Sequence, residues 1–394
     1  MGVAALPERK MSWGRLWSRQ RGQDYMRVGK NEESEYSPET RIDSEDNITR
    51  DAPKRKRWRG YLTCGSIWGV TILAITLLIS LLLSIARSLW GIEDDPDKIF
   101  GNWGKPGTET EGLAWYPTDF LRDVVPIRCH SHNDYWRKVP LFSALHAGCI
   151  GVEADVWLFD DDPKLYVGHD TAALTTNRSF ESLYINPLVD LLNRTNPHTP
   201  FYNDTRRGVF DYDPEQAVIL LVDLKTDGAQ IWPHVLAQLE PLRSRGWLTY
   251  VEDQVVHQRQ VTVVGTGNTP FDLVVQNSTY RDAFFDAPLA EMWEDPSVPD
   301  TGSTNTTYNE TNSLYASTSL TEAVGLIFGG FSDSQLRTIR GQIKGAHQRG
   351  LKVRYWDTPG WPIGLRNKVW HTLMEEGVDM LNVDDLKSAA RKEW

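Results

Sequence analysis

Cysteine is scarce in this chain, with three residues in 394, which excludes a small disulfide-stapled scaffold. A basic excess is missing too: 42 Lys and Arg face 53 Asp and Glu, for a formal net charge of −11. Nucleic-acid binding runs on a basic face, so no nucleic-acid partner is expected. Long apolar runs are absent but for one. Tyr61 to Ala86 carries no charge and contains the run Ile72 to Leu83. At about 1.5 Å of rise per residue it exceeds the roughly 30 Å hydrocarbon core of a bilayer. It follows sixty polar residues, so it reads as a retained anchor rather than a cleaved signal peptide. Tryptophan, by contrast, is abundant at 16 residues.

The basic residues are unevenly placed around the apolar run. Arg41, Arg50, Lys54, Arg55, Lys56, Arg57 and Arg59 precede it, whereas Arg87, Lys98 and Lys105 follow among Glu93, Asp94, Asp95 and Asp97. The positive-inside rule then puts the N-terminus in the cytosol. The expected protein is a single-pass type II membrane protein of the secretory route (ER, Golgi, vacuole or plasma membrane), with its C-terminal part lumenal or extracellular. Six N-x-[ST] acceptors in that part agree: Asn177, Asn193, Asn203, Asn277, Asn305 and Asn309. N-glycosylation is expected at some of them. Asn47 fits the pattern but would face the cytosol.

The chain divides into a disordered cytosolic tail over 1–60, an anchor over 61–86, a linker over 87–120 and a folded domain over 121–394. In the domain, apolar strands alternate with helical stretches. Strands are expected at 124–130, 150–159, 165–169, 217–225, 261–265, 271–276, 351–355 and 378–383. Helices are expected at 140–147, 180–192, 231–244, 332–349 and 363–376, with Ser332 as an N-cap and Gly350 as a stop. Repeated β-then-α units indicate a parallel sheet, and their length suits a TIM-type (β/α)8 barrel. Residues 295–318, rich in Ser, Thr and Asn, read as a surface excursion.

Chemistry concentrates at a few positions. Glu153 and Asp155 stand two apart in the otherwise apolar stretch Gly151 to Leu158. In a strand they share a face, about 6.6 Å apart at Cα. Paired carboxylates are costly to bury unless compensated, and a hard divalent cation is the usual partner. Asp223 and Lys225 repeat the spacing after the run Val218 to Val222, and His130 and His169 end neighbouring segments. In a barrel all of these would meet at the C-terminal ends of the strands.

The ordered set of His130, Glu153-x-Asp155, His169-Asp170 and Asp223-x-Lys225 resembles the phospholipase-C-like phosphodiesterases, a superfamily that includes glycerophosphodiester phosphodiesterases and sphingomyelinase D. His130-Ser131-His132-Asn133-Asp134-Tyr135 and Arg354-Tyr355-Trp356-Asp357-Thr358-Pro359 are similar to the fungal altered inheritance of mitochondria protein 6 family. The resemblance spans roughly residues 120–390. It implies a cation on Glu153, Asp155 and Asp223, with Mg²⁺ preferred over Ca²⁺, acid–base work by His130 and His169, and a phosphate contact from Lys225. Two departures stand out. Ser131-His132 replaces the Arg-Gly that usually follows the first histidine of glycerophosphodiesterases, and the third metal ligand is Asp rather than Glu.

His132, Asn133 and Trp356 are candidate substrate contacts, with second-shell support, turn formation and packing as their ordinary roles. Glu153 and Asp155 could instead form an ion network with Lys225 and arginines. Asp170 is expected to orient His169 or close a turn, and Asp384 and Asp385 to cap a helix. Cys129 and Cys149 are expected to be two buried thiols at opposite ends of the barrel wall, and Cys64 lies in the span. The expected function is a membrane-anchored phosphodiesterase acting on a (lyso)phospholipid or glycerophosphodiester. The alternatives are a non-catalytic binding domain on the same fold and a glycoside hydrolase.

Overall fold

The computed structural model describes residues 56–90, 100–114, 120–159, 162–203, 206–299 and 307–392. They fall into two units, divided after Ile99. The first holds one helix, Lys56–Trp90, within which Trp68–Ala86 is long and apolar enough to cross a membrane. Its described apolar side chains, among them Leu73, Leu77 and Leu82, are exposed. The tail expected over 1–60 lies outside the described residues up to position 55, and its last residues begin this helix.

The second unit is a closed barrel of eight parallel strands: β1 (Ile127–Ser131), β2 (Cys149–Phe159), β3 (Val218–Leu224), β4 (Val261–Gly267), β5 (Phe284–Pro288), β6 (Ser313–Ser319), β7 (Lys352–Trp356) and β8 (Met380–Val383). Each strand pairs with the next, and β8 closes onto β1. Strand parity follows from chemistry. On β2 and β3, Val152, Ala154, Val156, Leu220 and Val222 are fully buried and alternate with the carboxylates, so they face the helical layer while the carboxylates face the barrel interior. Helices Asn186–Thr195, Gly228–Gln238, Asp333–His347 and Ile363–Glu376 form part of that layer.

Helix Asp333–His347 shows how sequence sets its ends. Ser332 and Gln335 form a reciprocal capping box, which satisfies two orphan N–H groups. At the far end Gly350 takes a φ of +73°. The helix packs closely through Gly345, where an added Cβ would lie 1.5 Å from the Met292 carbonyl oxygen. Alanine gains about 1 kcal/mol over glycine in a free helix, but overpacking costs about 1–3 kcal/mol or more. Gly345→Ala is therefore expected to destabilise by about 1–3 kcal/mol, as a urea melt would show.

Five features differ from the expectation. Residues 271–274 form a short helix after Pro270, because a short apolar run does not by itself distinguish strand from helix. β5 and β6 are strands the pattern did not show, and β6 occupies the end of the supposed 295–318 excursion. Asp162–Val167 is antiparallel to β2, a hairpin partner outside the barrel. Tyr250–Glu252, Val255–His257 and Tyr280–Arg281 make a small separate sheet.

The fifth is covalent. Cys129 and Cys149 form a disulfide, with Cα atoms 4.7 Å apart. The expectation of two separated thiols fails because β1 and β2 are direct neighbours. Ile127 pairs with Cys149 and the register then shifts before His130, which brings Cys129 level with the start of β2.

Candidate active site

β2 and β3 pair in register with Asp155 opposite Asp223, so the two project side by side into the barrel mouth. Glu153, Asp155 and Asp223 each offer an oxygen within 4.8 Å of the others. Lys225 Nζ lies 2.9 Å from Asp155 Oδ2 and 2.8 Å from Asp223 Oδ2. The ion network that sequence allowed is therefore present, but one ammonium cannot balance three carboxylates. Burial, then the charges of Glu153 and Asp223, push the Asp155 carboxyl up to about 7. Burial likewise raises Asp223. For Lys225 burial acts downward, but Asp223 and Asp155 outweigh it and hold the ammonium charged. Asp155 Oδ1 is buried without a hydrogen-bond partner. With all three carboxylates ionised, the cluster and its one lysine would carry a net double negative charge with an orphaned oxygen among them, which fits a hard divalent cation.

Glycines shape this cluster. Gly267 at the end of β4 has φ +65°, and a Cβ there would meet Asp223 Oδ1 at 2.0 Å. On β2, a Cβ at Gly151 would lie 2.3 Å from His130 Nδ1, so that position leaves room for the imidazole. His130 is fully buried, its Nδ1 is 3.5 Å from the Tyr315 hydroxyl, and its Nε2 has no hydrogen-bond partner. Burial first, then the charges of Arg354 and His132, hold its pKa well below the usual histidine value. It is thus neutral at pH 7.

His169 arrives by the hairpin. Val167 pairs with Val156, and Gly168 N donates to the Asp155 carbonyl at 3.2 Å. The His169 side chain is half exposed, with Nδ1 3.7 Å from Asp155 Oδ2 and its ring 5.0 Å from that of Trp136.

Between His169 and the carboxylates stands Tyr135, which sequence reading missed. Its hydroxyl lies 2.6 Å from Asp155 Oδ2, 2.5 Å from Asn133 Oδ1 and 3.1 Å from His169 Nδ1. Having one proton to give, it donates to Asp155 or Asn133 and can accept from His169 Nδ1–H, which leaves His169 Nε2 free. The signal was Tyr135's place two residues after Asn133 in the same short motif. Groups supporting metal ligands typically contribute 10–100-fold to affinity or activity. Tyr135→Phe is expected to weaken divalent-cation binding by roughly tenfold or more, measured by calorimetric titration.

The remaining candidates have clear places. Asn133, at φ +45°, turns its backbone N–H onto Glu153 Oε2 at 2.9 Å. His132 Nδ1 is 2.9 Å from Asp384 Oδ1 and its Nε2 is 4.0 Å from Glu153 Oε2. Burial lowers its pKa, but the Asp384 hydrogen bond and the Glu153 charge outweigh that and raise it. Asp384 therefore serves His132 rather than a cap, while Asp385 does cap the last helix. Asp170 closes a turn by accepting from Ala173 N. Trp356 shares the inward face of β7 with Arg354, nearer the rim, and is 37% exposed.

Deeper in the barrel lies a polar layer that sequence did not reveal. Arg354 Nη1 donates to Asn382 Oδ1 at 2.8 Å and Nε to Ser317 Oγ at 3.1 Å. Asp286 Oδ2 lies 3.5 Å from Arg354 Nη2 and accepts from Thr266 at 3.1 Å.

The chain is similar to several known proteins. Residues 118–286 match the model of an AIM6-like phosphodiesterase domain. The "Altered inheritance of mitochondria protein 6 homolog" of Arthroderma benhamiae is 46% identical over 72% of this chain and 88% of its own. The Zygosaccharomyces rouxii protein "Altered inheritance of mitochondria protein 6" is 33% identical over 68% of this chain and 70% of its own. Among solved structures, a glycerophosphodiester phosphodiesterase from Parabacteroides distasonis covers 69% of this chain and 96% of its own, at 12% identity and a TM-score of 0.35. With identity at that level over more than two thirds of the chain, the chain belongs to the altered inheritance of mitochondria protein 6 family.

Proposed function

We propose that this protein is a membrane-anchored, metal-dependent phosphodiesterase acting on a (lyso)phospholipid or glycerophosphodiester. The observation that carries the reading is the carboxylate trio, two of whose members share Lys225, with His169 beside Asp155. Glu153, Asp155 and Asp223 would hold the cation, Mg²⁺ ahead of Ca²⁺, since Mg²⁺ is commonly bound by few carboxylates plus substrate phosphate. A bound cation would neutralise a non-bridging phosphoryl oxygen and orient the diester.

The chain's own groups do the rest. His130, kept neutral by burial, is suited to accept the proton of the attacking oxygen. His169, whose Nδ1–H Tyr135 can accept, would when doubly protonated present Nε2–H to the leaving oxygen, returning to the neutral Nδ1–H form as that proton transfers. Lys225 supplies an ammonium to the phosphate. Asn133, His132 and Trp356 would contact the substrate. A glycosidase would need two carboxyls flanking a bond, and here three converge instead.

The anchor would be Trp68–Ala86, with a type II orientation and N-glycans on the barrel. The test is turnover of a lysophospholipid and glycerophosphodiester panel by the full chain in nanodiscs, with Mg²⁺, Ca²⁺ or EDTA. Cation-dependent release of a phosphorylated product is expected. A folded protein that binds cation and turns over none of the panel would favour the binding-domain alternative.

A further inference from the structure

Four large, exposed apolar side chains of the barrel rim lie on two loops. Leu326 and Phe328, 69% and 85% exposed, follow the helix after β6, and Trp361 and Ile363, 80% and 60% exposed, follow β7. Trp356 stands at the root of the second loop. Neither tip carries charge: Gly325 to Phe331 and Thr358 to Gly364 hold no Asp, Glu, Lys or Arg.

These loops form one structure. Lys368 Nζ donates to the Gly329 carbonyl at 2.6 Å and Ser319 Oγ to Asp357 Oδ2 at 3.1 Å. Trp370 Nε1 reaches Thr358 Oγ1 at 3.4 Å. Gly325 and Gly329, at φ +76° and +69°, bend the chain on either side of Leu326 and Phe328, so the pair stands out from the rim. Uncharged, held loops with aromatic tips suit the bilayer interface, where such rings are favoured.

The opposite face differs. Asn193 lies near the C-terminus of helix Asn186–Thr195, and Asn203, Asn277 and Asn309 lie on connections leading into strand N-termini. Of the described acceptors, Asn177 alone precedes a helix on the rim side. Glycans would thus gather on the face away from the loops.

We infer that loops 325–331 and 358–364 dip into the lipid surface and hold the mouth of the barrel against the bilayer. The inference rests on the membrane and glycan parts of the function proposed above but not on turnover.

The test places an environment-sensitive fluorophore on Phe328→Cys in the full chain carrying Cys64→Ala, reconstituted in phosphatidylcholine vesicles with and without nitroxide-bearing lipid. Phe201→Cys, at a 95% exposed position before β3, is the control, and Ile363→Cys gives a second rim position should the first misfold. A blue shift and loss of most emission to lipid-borne nitroxide at 328 or 363, with neither at 201, is the expected result. Water-like emission at the rim labels overturns the inference, even if diesters are turned over. Shielding without quenching by lipid also overturns it, because a protein partner would then cover the rim. Quenching at the rim without turnover supports it and counts against the catalytic reading alone.

Discussion

His130→Ala is expected to lower kcat on a responsive diester by ~10²–10⁴, the usual contribution of a positioned acid–base group. Cation affinity and folding should change little. The imidazole is fully buried with Nε2 unpartnered, so its removal relieves an unsatisfied polar group and partly offsets the packing lost. Gly151→Ala should reproduce the defect, because the new Cβ would sit 2.3 Å from His130 Nδ1 and displace the ring. His169→Ala should lower kcat similarly while leaving His130 in place. Steady-state kinetics with a matched cation titration separates these cases. If both histidine variants keep wild-type kcat, the acid–base assignment is wrong.

Removing the cation should have a large effect on stability, and the effect should depend on pH. Asp155 is held up to about 7, above the usual aspartate value of about 3.9. For a raised carboxyl, the folded state binds the proton more firmly than the unfolded chain. Its contribution is complete below about pH 4 and is lost as pH rises through 7. Cation-free protein therefore carries the cost of the crowded carboxylates at pH 8. His130 acts with the opposite sign. Its lowered value costs stability as pH falls below about 6.5, with or without cation.

Cation at a hundred times its Kd should add about 2.7 kcal/mol, a Tm rise on the order of 5–10 °C. The rise should be greatest at pH 8 and shrink toward pH 5, where protons compete for the ligands. Asp155→Asn should raise the cation-free Tm at pH 8 and abolish the response to cation. Scanning calorimetry reads all three. Equal shifts at pH 5 and 8, or a variant that still responds, would remove Asp155 from the ligand set.

What could be read from sequence was whatever a strand displays by alternation. Glu153, Asp155, Asp223 and Lys225 stood out because carboxylates and an amine interrupt apolar strands, and parity put each pair on one face. The closed barrel followed from β–α repetition. β6 escaped because its inward residues, Tyr315, Ser317 and Ser319, contact a polar layer rather than a greasy core, so Ser313–Ser319 has the composition of a loop. β5 hid for the same reason: Asp286 faces that layer and Pro288 ends the strand. The Arg354, Asp286 and Asn382 cluster joins three strands far apart in the chain, and no local spacing encodes such a meeting. The disulfide was misjudged by one register shift, since a pairing offset between neighbouring parallel strands decides which cysteines can touch.

That disulfide has a consequence beyond the fold. Cys129 and Cys149 are 20 residues apart in sequence, and the ring they close contains His130, His132, Asn133 and Tyr135. These four residues of the candidate site are thus threaded on a covalent hoop, worth roughly 3 kcal/mol against unfolding by the loop-entropy rule. Cytosolic proteins seldom keep such a bond, whereas lumenal and exported ones do. The pair is therefore a postmark set next to the chemistry. Finding the pair oxidised in cells would support the lumenal facing proposed above; reduced, it would leave the same site on an open and looser loop.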